Sequence, residues 1–142
     1  MPSGDVMRVR LVTVEPTDSA RLAVLRMLEE DVGSVAVCEE GKLVGIFTER
    51  DVLRLAGDGA PLDEVRIADV MTTELTTVSP DVSVTDAAAL MGERKIRHLP
   101  VVEDGRLLGM IGIRDVLSSL VERLWQTHDE TAHKTARQLF RR

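Results

Sequence analysis

The stretch GIFTERDVL at residues 45–53 returns 64 residues later as GMIGIRDVL at residues 109–117. The same shift aligns the preceding residues without a gap, and 20 of the 49 positions from residue 5 to residue 53 are identical in the two copies. The identities include turn and helix-start residues: Pro16, Ser19, Gly41 and Gly45 return as Pro80, Ser83, Gly105 and Gly109. Self-similarity at one fixed period indicates a structural unit that is used twice. We therefore predict two copies of one small unit.

Each copy has the pattern β-α-β-β-α. In the first copy, a predicted strand at residues 11–14 stops before Pro16, which cannot donate to a β-ladder. Residues 19–30 place apolar side chains at helical spacing and predict a helix. Residues 35–38 and 43–47 form a predicted hairpin, and Gly41 lies in its turn at residues 39–42. A second helix is expected to begin at Thr48 or Glu49.

The second copy repeats this order and sets the domain boundaries. It has a predicted strand at 75–78, a helix at 83–94, strands at 99–102 and 107–111, and a last helix from about Ile113. Glycines and a proline mark residues 57–66 as a linker. The prediction is an α/β fold with tandem repeats at residues 1–64 and 65–121 and a C-terminal helical extension at 122–142. Because two isolated small cores would be marginal, the copies are expected to pack on each other.

The C-terminal extension has apolar residues at four-residue spacing, which predicts an amphipathic helix. The stripe consists of Leu120, Leu124, His128, Ala132, Ala136 and Phe140. Leaving Leu139 and Phe140 in water is unfavourable by about 1.5–3 kcal/mol for each large side chain. We therefore expect the extension to pack on the repeats or on a partner subunit.

Composition and charge exclude several classes of function. The 142-residue chain has a net charge of −6 and scattered basic residues, which disfavours nucleic acid and anionic membranes as partners. Cys38 is the only cysteine and, with three histidines, makes no recognisable metal-ligand set, so no metal is expected. The first ten residues contain no apolar signal core, and no apolar run approaches the length of a membrane span. The expected location is the cytoplasm.

The two segments GIFTERD at 45–51 and RHLPVV at 97–102, inside the β-α-β-β-α repeat, resemble the cystathionine-beta-synthase (CBS) domain family. Two such units in tandem resemble the Bateman module, and the resemblance covers about residues 5–121. It implies a pseudo-twofold pair with two clefts between the copies. In the family such clefts bind adenine nucleotides (AMP, ADP or ATP) or related adenosyl ligands. It also implies a homodimer, consistent with apolar residues on the predicted helices at 49–56 and 113–121.

The resemblance implies that Thr48 and Asp51, in the pattern Thr-x-x-Asp, hold the ribose of the ligand in one cleft, and Asp115 in the other. An ionised carboxylate can accept hydrogen bonds from both ribose hydroxyls. The alternative is a capping box, in which Thr48 caps a helix and Asp51 reaches back. Gly112 replaces the threonine in the second copy, which leaves that cleft with one hydroxyl fewer. Asp51→Asn is therefore expected to weaken binding more than Asp115→Asn.

Basic residues and two threonines complete the predicted site. The resemblance places Arg97 and His98 near phosphates. The arginines Arg50 and Arg114 recur beside the two aspartates and are assigned the same role because of that position. Thr13 and Thr77 recur at the first strand of each copy and are assigned to strand entry. Each assignment has an alternative. Arg97 and His98 can be a solvated pair on a loop, and Arg50 and Arg114 can cover apolar surface. Thr13 and Thr77 can be ordinary strand residues.

The functional prediction is a regulatory module that senses an adenine nucleotide, AMP or ATP, or a related adenosyl ligand. No other cofactor is expected. The sequence has no Gly-rich phosphate loop with lysine and no Ser/His/Asp set in a recognisable context, so an enzyme is not predicted. The alternative is a dimerisation or interaction scaffold that binds no nucleotide. A downstream protein target of unknown identity is also expected as a partner.

Overall fold

The computed structural model describes residues 10–127. The elements follow the order β1 (Thr13–Val14), α1 (Ala20–Glu30), β2 (Ser34–Glu39), β3 (Lys42–Thr48), α2 (Glu49–Gly57), α3 (Ile67–Val70), α4 (Val84–Arg94), β4 (His98–Glu103), β5 (Arg106–Gly112) and α5 (Ile113–Thr127). The predicted α/β class and the tandem repeat are confirmed. The predicted elements lie within a few residues of the observed ones, with two differences in kind: the first strand of the second copy is reduced to a single bridge, and the short helix α3 was not predicted.

The first copy is built on a three-stranded sheet. β1 runs parallel to β2, and β2 runs antiparallel to β3. The β2–β3 turn holds Glu40 at φ 52° and Gly41 at φ 79°. Two-residue hairpin turns of type I′ need positive φ at both central residues, which explains the glycine. The second copy repeats this turn at Asp104 and Gly105, between antiparallel strands β4 and β5.

The first strand of the second copy is shorter than predicted. Instead of a strand at residues 75–78, the structure has a single parallel bridge between Val78 and Val101. In the first copy, the Ala36 N–H donates to the Val12 carbonyl at 3.0 Å. The residue equivalent to Ala36 is Pro100, which has no N–H to donate. The proline therefore removes the hydrogen bond that would extend the pairing.

Serine side chains fix where the first helix of each copy begins. Ser19 accepts a hydrogen bond from the Leu22 N–H at 3.1 Å, and Ser83 accepts one from the Asp86 N–H at 3.0 Å. Serine is among the preferred N-cap residues because its oxygen satisfies a donor that the first helical turn leaves unpaired. The sequence prediction included both serines in the helices, whereas the structure places them one residue before.

Each copy has its own hydrophobic cluster. Phe47 and Ile67 are fully buried in the first cluster, and Leu99 and Ile111 are fully buried in the second. The copies nevertheless contact each other through β3 and β5. Backbone bridges also join Arg10 to Met110 on β5 and Thr72 to Ile46 on β3. These two bridges place the first strand region of each copy beside the last strand of the other.

The end of the linker and the segment that follows it pack on the first copy. Ile67 belongs to the first hydrophobic cluster, and its N–H donates to the Asp18 carbonyl at 2.9 Å. The Val65 carbonyl accepts from the Ala20 N–H at 2.8 Å. Residues 65–71 therefore stabilise the first unit, although the repeat assigns them to the second.

Helix α5 continues past the end of the repeat. It runs without interruption from Ile113 to Thr127, so the first residues of the predicted C-terminal extension are helical. The rest of that predicted helix, residues 128–142, lies outside the described residues. Within the described part of the chain, no helix is long and apolar enough to cross a membrane.

Candidate functional site

A cavity of about 170 Å³ lies between the two copies. The first copy contributes residues from before β1, from the α1–β2 loop and from the start of α2: Arg10, Val12, Asp31, Val32, Gly33, Ser34 and Glu49. The second contributes the start of β4 and the β5–α5 junction: Arg97, His98, Met110, Gly112, Ile113, Arg114 and Asp115. The lining therefore combines equivalent loops of both repeats.

A backbone contact between the copies forms the cavity. The Met110 N–H donates to the Arg10 carbonyl at 2.9 Å, which holds the residue before β1 against β5. Gly33 lies close to His98 of the other copy, because a Cβ atom added to this glycine would lie 3.1 Å from His98 Nε2. The α1–β2 loop of the first copy thus faces the loop that leads into β4.

Asp115 presents a carboxylate to this cavity. Its Oδ2 accepts a hydrogen bond from the Gly112 N–H at 3.0 Å, which fixes the side chain at the start of α5. The residue is half-buried, and within residues 10–127 its Oδ1 has no hydrogen-bond partner. This carboxylate is therefore held in place and keeps acceptor capacity for a ligand.

Asp51, the equivalent residue of the first copy, is in a different environment. Its Oδ2 accepts from the Thr48 N–H at 2.9 Å and from the Thr48 hydroxyl at 3.2 Å, while Thr48 Oγ1 accepts from the Asp51 N–H at 3.4 Å. The residue is only 5% exposed, and Oδ1 lies 3.8 Å from Nη1 of Arg54. These contacts form the capping box that was one of the two interpretations of Thr-x-x-Asp.

His98 lies between two glycines on the cavity wall. One is Gly33, and the other is Gly112, where an added Cβ atom would lie 3.8 Å from His98 Cδ2. Burial lowers the pKa of His98, and Glu49 opposes this by favouring the charged form. Smaller effects come from Arg97, Asp115 and Arg114, of which only the carboxylate raises the pKa. The unliganded imidazole is therefore neutral near pH 7.

The arginines of the cavity differ in how they are held. Arg97 and Arg114 are exposed, and no hydrogen bond or ion pair fixes either side chain within the described part of the chain. Arg10 is tied to the end of α1: its Nη1 donates to the Glu30 carbonyl at 2.8 Å and its Nη2 lies 3.6 Å from Glu30 Oε2. Arg97 and Arg114 are thus the cations most able to turn toward an anionic ligand.

Four of the nine residues predicted from the sequence come together at the cavity: Arg97, His98, Arg114 and Asp115. The other five, which do not line it, are Thr13, Thr48, Arg50, Asp51 and Thr77. Thr13 lies half-buried in β1, whereas Arg50 and Thr77 are exposed. Their assignment to the ligand stays a prediction.

Sequence reasoning missed the contribution of the first copy to the cavity. Gly33, Ser34 and Glu49 are the repeat equivalents of Arg97, His98 and Ile113, so the 64-residue shift already pairs them. The pseudo-twofold arrangement brings both members of each pair to the same cavity. Within residues 10–127, no three metal-ligating side chains come together.

Comparison with known proteins identifies the family. The CBS domain profile matches residues 4–58 and 67–122. An uncharacterized protein of Methanopyrus kandleri is 38% identical over 117 residues, which cover 80% of this chain and 60% of that protein. The CBS domain-containing protein YhcV of Bacillus subtilis is 34% identical over 113 residues, covering 79% of this chain and 80% of YhcV. The chain thus spans less than two thirds of the first relative and most of the second.

Solved structures agree with this assignment. A CBS-domain-containing protein from Agrobacterium tumefaciens has a TM-score of 0.78 at 30% identity and covers 84% of this chain and 99% of its own. A CBS domain protein from Pyrobaculum aerophilum, complexed with AMP, has a TM-score of 0.77 at 25% identity, with coverages of 86% and 97%. The CBS domain pair of protein MJ0100, in complex with 5-methylthioadenosine and S-adenosyl-L-methionine, has a TM-score of 0.76 at 25% identity, with coverages of 85% and 99%. Because both profile matches fall on the two copies of the repeat, the chain belongs to the CBS domain family and carries two CBS domains in tandem.

Proposed function

We propose that the chain is a regulatory module that binds an adenine nucleotide, or a related adenosyl ligand, in the cavity between its two copies. The observation that carries this proposal is Asp115, a fixed carboxylate with free acceptor capacity on the cavity wall. The presence of AMP in one structural neighbour, and of adenosyl compounds in another, supports this class of ligand. The proposed role is regulatory rather than catalytic, and the proposed location of the protein is the cytoplasm.

Each part of a nucleotide has a suitable partner in the cavity. Aliphatic side chains suit an adenine ring: Val12, Val32, Met110 and Ile113. Asp115 suits the ribose hydroxyls, because a carboxylate accepts two hydrogen bonds. Arg97, Arg114 and the imidazole of His98 suit the phosphate. The remaining predicted residues would take part only if a ligand also binds in the other cleft, which the sequence assigns to Asp51. They are Thr13, Thr48, Arg50, Asp51 and Thr77.

The size of the cavity limits how a nucleotide would lie in it. Ligand sites for drug-sized molecules usually have volumes of about 300–1,000 Å³. The cavity of about 170 Å³ is smaller and holds only part of a nucleotide. We therefore place the base and ribose inside and the phosphate at the mouth, beside the exposed Arg97 and Arg114 side chains.

A second candidate function is a dimerisation scaffold, which an exposed apolar surface favours. Leu53 on α2 is 74% exposed and Leu117 on α5 is 55% exposed. These two leucines are equivalent in the repeat, so the pseudo-twofold places them on matching helices. We propose that this surface joins two copies of the chain into a homodimer. The dimer is compatible with ligand binding and would stand alone if the chain binds no nucleotide.

Ligand-dependent stability distinguishes the two functions. With AMP at about 100 times its dissociation constant, the free energy of unfolding should rise by about 2.7 kcal/mol. Urea denaturation with and without AMP, followed by circular dichroism, measures this increase. Inorganic phosphate at the same concentration is the control for ionic effects. No stabilisation by AMP, ATP or S-adenosylmethionine would reject the sensor and leave the scaffold.

A further inference from the structure

The charged groups of the cavity balance each other. Among the described residues, three arginines and three carboxylates line it: Arg10, Arg97, Arg114, Asp31, Glu49 and Asp115. Within residues 10–127, His98 is the only other titratable group in the lining. The protonation state of His98 therefore decides whether the cavity lining is neutral or carries a net positive charge.

The position of His98 lets it respond to a ligand. A Cβ atom added to Gly33 would lie 2.6 Å from Glu49 Oε1 and 3.1 Å from His98 Nε2, so both side chains border this glycine. The charges of Asp115 and Arg114 on α5, and of the preceding Arg97, also act on the imidazole. The ring thus lies beside Gly33 of the first copy and Gly112 of the second, on the wall that a bound ligand would touch.

We propose that His98 is a specificity-determining residue that selects ligands by the charge of the group at the ribose 5′ position. When that group is an anion, the imidazole takes up a proton from solvent and the lining becomes positive. When the group is a cation, such as the sulfonium of S-adenosylmethionine, the imidazole stays neutral. This inference rests on the proposed function, because it concerns the same cavity.

The direction of the pH dependence follows from two effects. Burial keeps His98 neutral in the unliganded protein near pH 7, as its lowered pKa indicates. An anion within a few ångströms favours the charged imidazole and raises its pKa. Binding of AMP therefore adds a fraction of a proton, and the affinity for AMP decreases as the pH rises. If bound AMP raises the pKa of His98 by one unit, the affinity for AMP above both pKa values is about tenfold lower than the affinity below them.

Isothermal titration calorimetry in buffers of different ionisation enthalpy measures the proton uptake directly. We expect the full-length protein at pH 7.0 to take up a fraction of a proton with AMP and none with adenosine or S-adenosylmethionine. The phosphate of AMP itself titrates with a pKa of about 6. Because the arginines favour the fully ionised phosphate, AMP itself releases protons on binding rather than taking them up. His98→Asn is the control for this contribution, because asparagine is polar but does not titrate, and the proton uptake should be absent from this variant.

A second variant tests the electrostatic argument without altering the imidazole. Glu49 is exposed and favours the charged form of His98. Glu49→Gln should therefore lower the pKa of His98, so that AMP binding weakens at a lower pH than in the parent protein. Equal proton uptake by the parent and His98→Asn, or the same dependence of AMP affinity on pH in both proteins from pH 6 to pH 8, would overturn the inference while leaving the proposed function intact. Failure of AMP, adenosine and S-adenosylmethionine all to bind would reject both.

Discussion

Asp115→Asn should lower the affinity for AMP by about 10- to 100-fold. Hydrogen bonds to a charged group contribute about 1.5–3 kcal/mol, which corresponds to this range of dissociation constants. The carboxylate of Asp115 accepts only the Gly112 N–H within the described residues, and an asparagine oxygen can keep that bond. The substitution should therefore weaken binding with little effect on folding. Calorimetric titration of AMP into the parent and the variant measures the change.

Asp51→Asn is the matched control, because Asp51 occupies the equivalent position in the first copy. Its Oδ2 already accepts two hydrogen bonds from Thr48, and it is 5% exposed. The structure therefore favours a loss of about 0.5–2 kcal/mol in stability, typical of a lost helix cap, with nearly unchanged AMP affinity. The sequence alone predicts the reverse order of the two variants. A larger loss of AMP affinity in Asp51→Asn than in Asp115→Asn would agree with the sequence prediction and contradict the assignment of the ligand to the cavity beside Asp115.

Replacing both Leu53 and Leu117 with lysine should convert the proposed dimer into a monomer. Each large apolar side chain contributes about 1.5–3 kcal/mol when fully buried, and a twofold interface counts each leucine twice. Even with partial burial, the dissociation constant of the dimer should rise by about 100-fold or more. Multi-angle light scattering at micromolar concentration should give about twice the chain mass of 15.6 kDa for the parent and 15.6 kDa for the variant.

Leu11→Lys provides the control for this experiment. Leu11 is 56% exposed, but it lies before β1 and outside both helices. The variant should keep the mass of the parent. A parent that remains at 15.6 kDa across the concentration range, or a dimer that survives the Leu53 and Leu117 substitutions, would show that these helices do not form the interface.

The repeat made most of the fold predictable. Because the sequence repeats after 64 residues, each helix and strand could be predicted twice, once in each copy. Glycines such as Gly41 and Gly105 marked the turns. The exception was the strand at residues 75–78. Its loss depends on Pro100 of a neighbouring strand, a backbone contact that local sequence patterns do not contain. The packing of Ile67 on the first copy was missed for the same reason, because it is a contact across the domain boundary.

The candidate site was predicted only in part. Sequence patterns treat Asp51 and Asp115 as equivalents and give preference to Asp51, since Thr48 supplies an additional hydroxyl. In the structure that hydroxyl binds Asp51 itself, whereas Asp115 lines the cavity with Gly112 as its partner. The additional polar group therefore satisfies the carboxylate instead of leaving it for a ligand. Which of two equivalent residues is accessible depends on tertiary packing, and that is not visible in the motif.

A crystal structure of the protein grown with saturating AMP tests the location of the ligand most directly. We predict electron density for one nucleotide in the cavity between the copies, with both ribose hydroxyls within hydrogen-bonding distance of the Asp115 carboxylate. The phosphate should lie beside Arg97, His98 and Arg114. AMP bound against Asp51 with the Asp115 cavity empty, or no nucleotide density at saturating AMP, would contradict the assignment of this cavity as the ligand site.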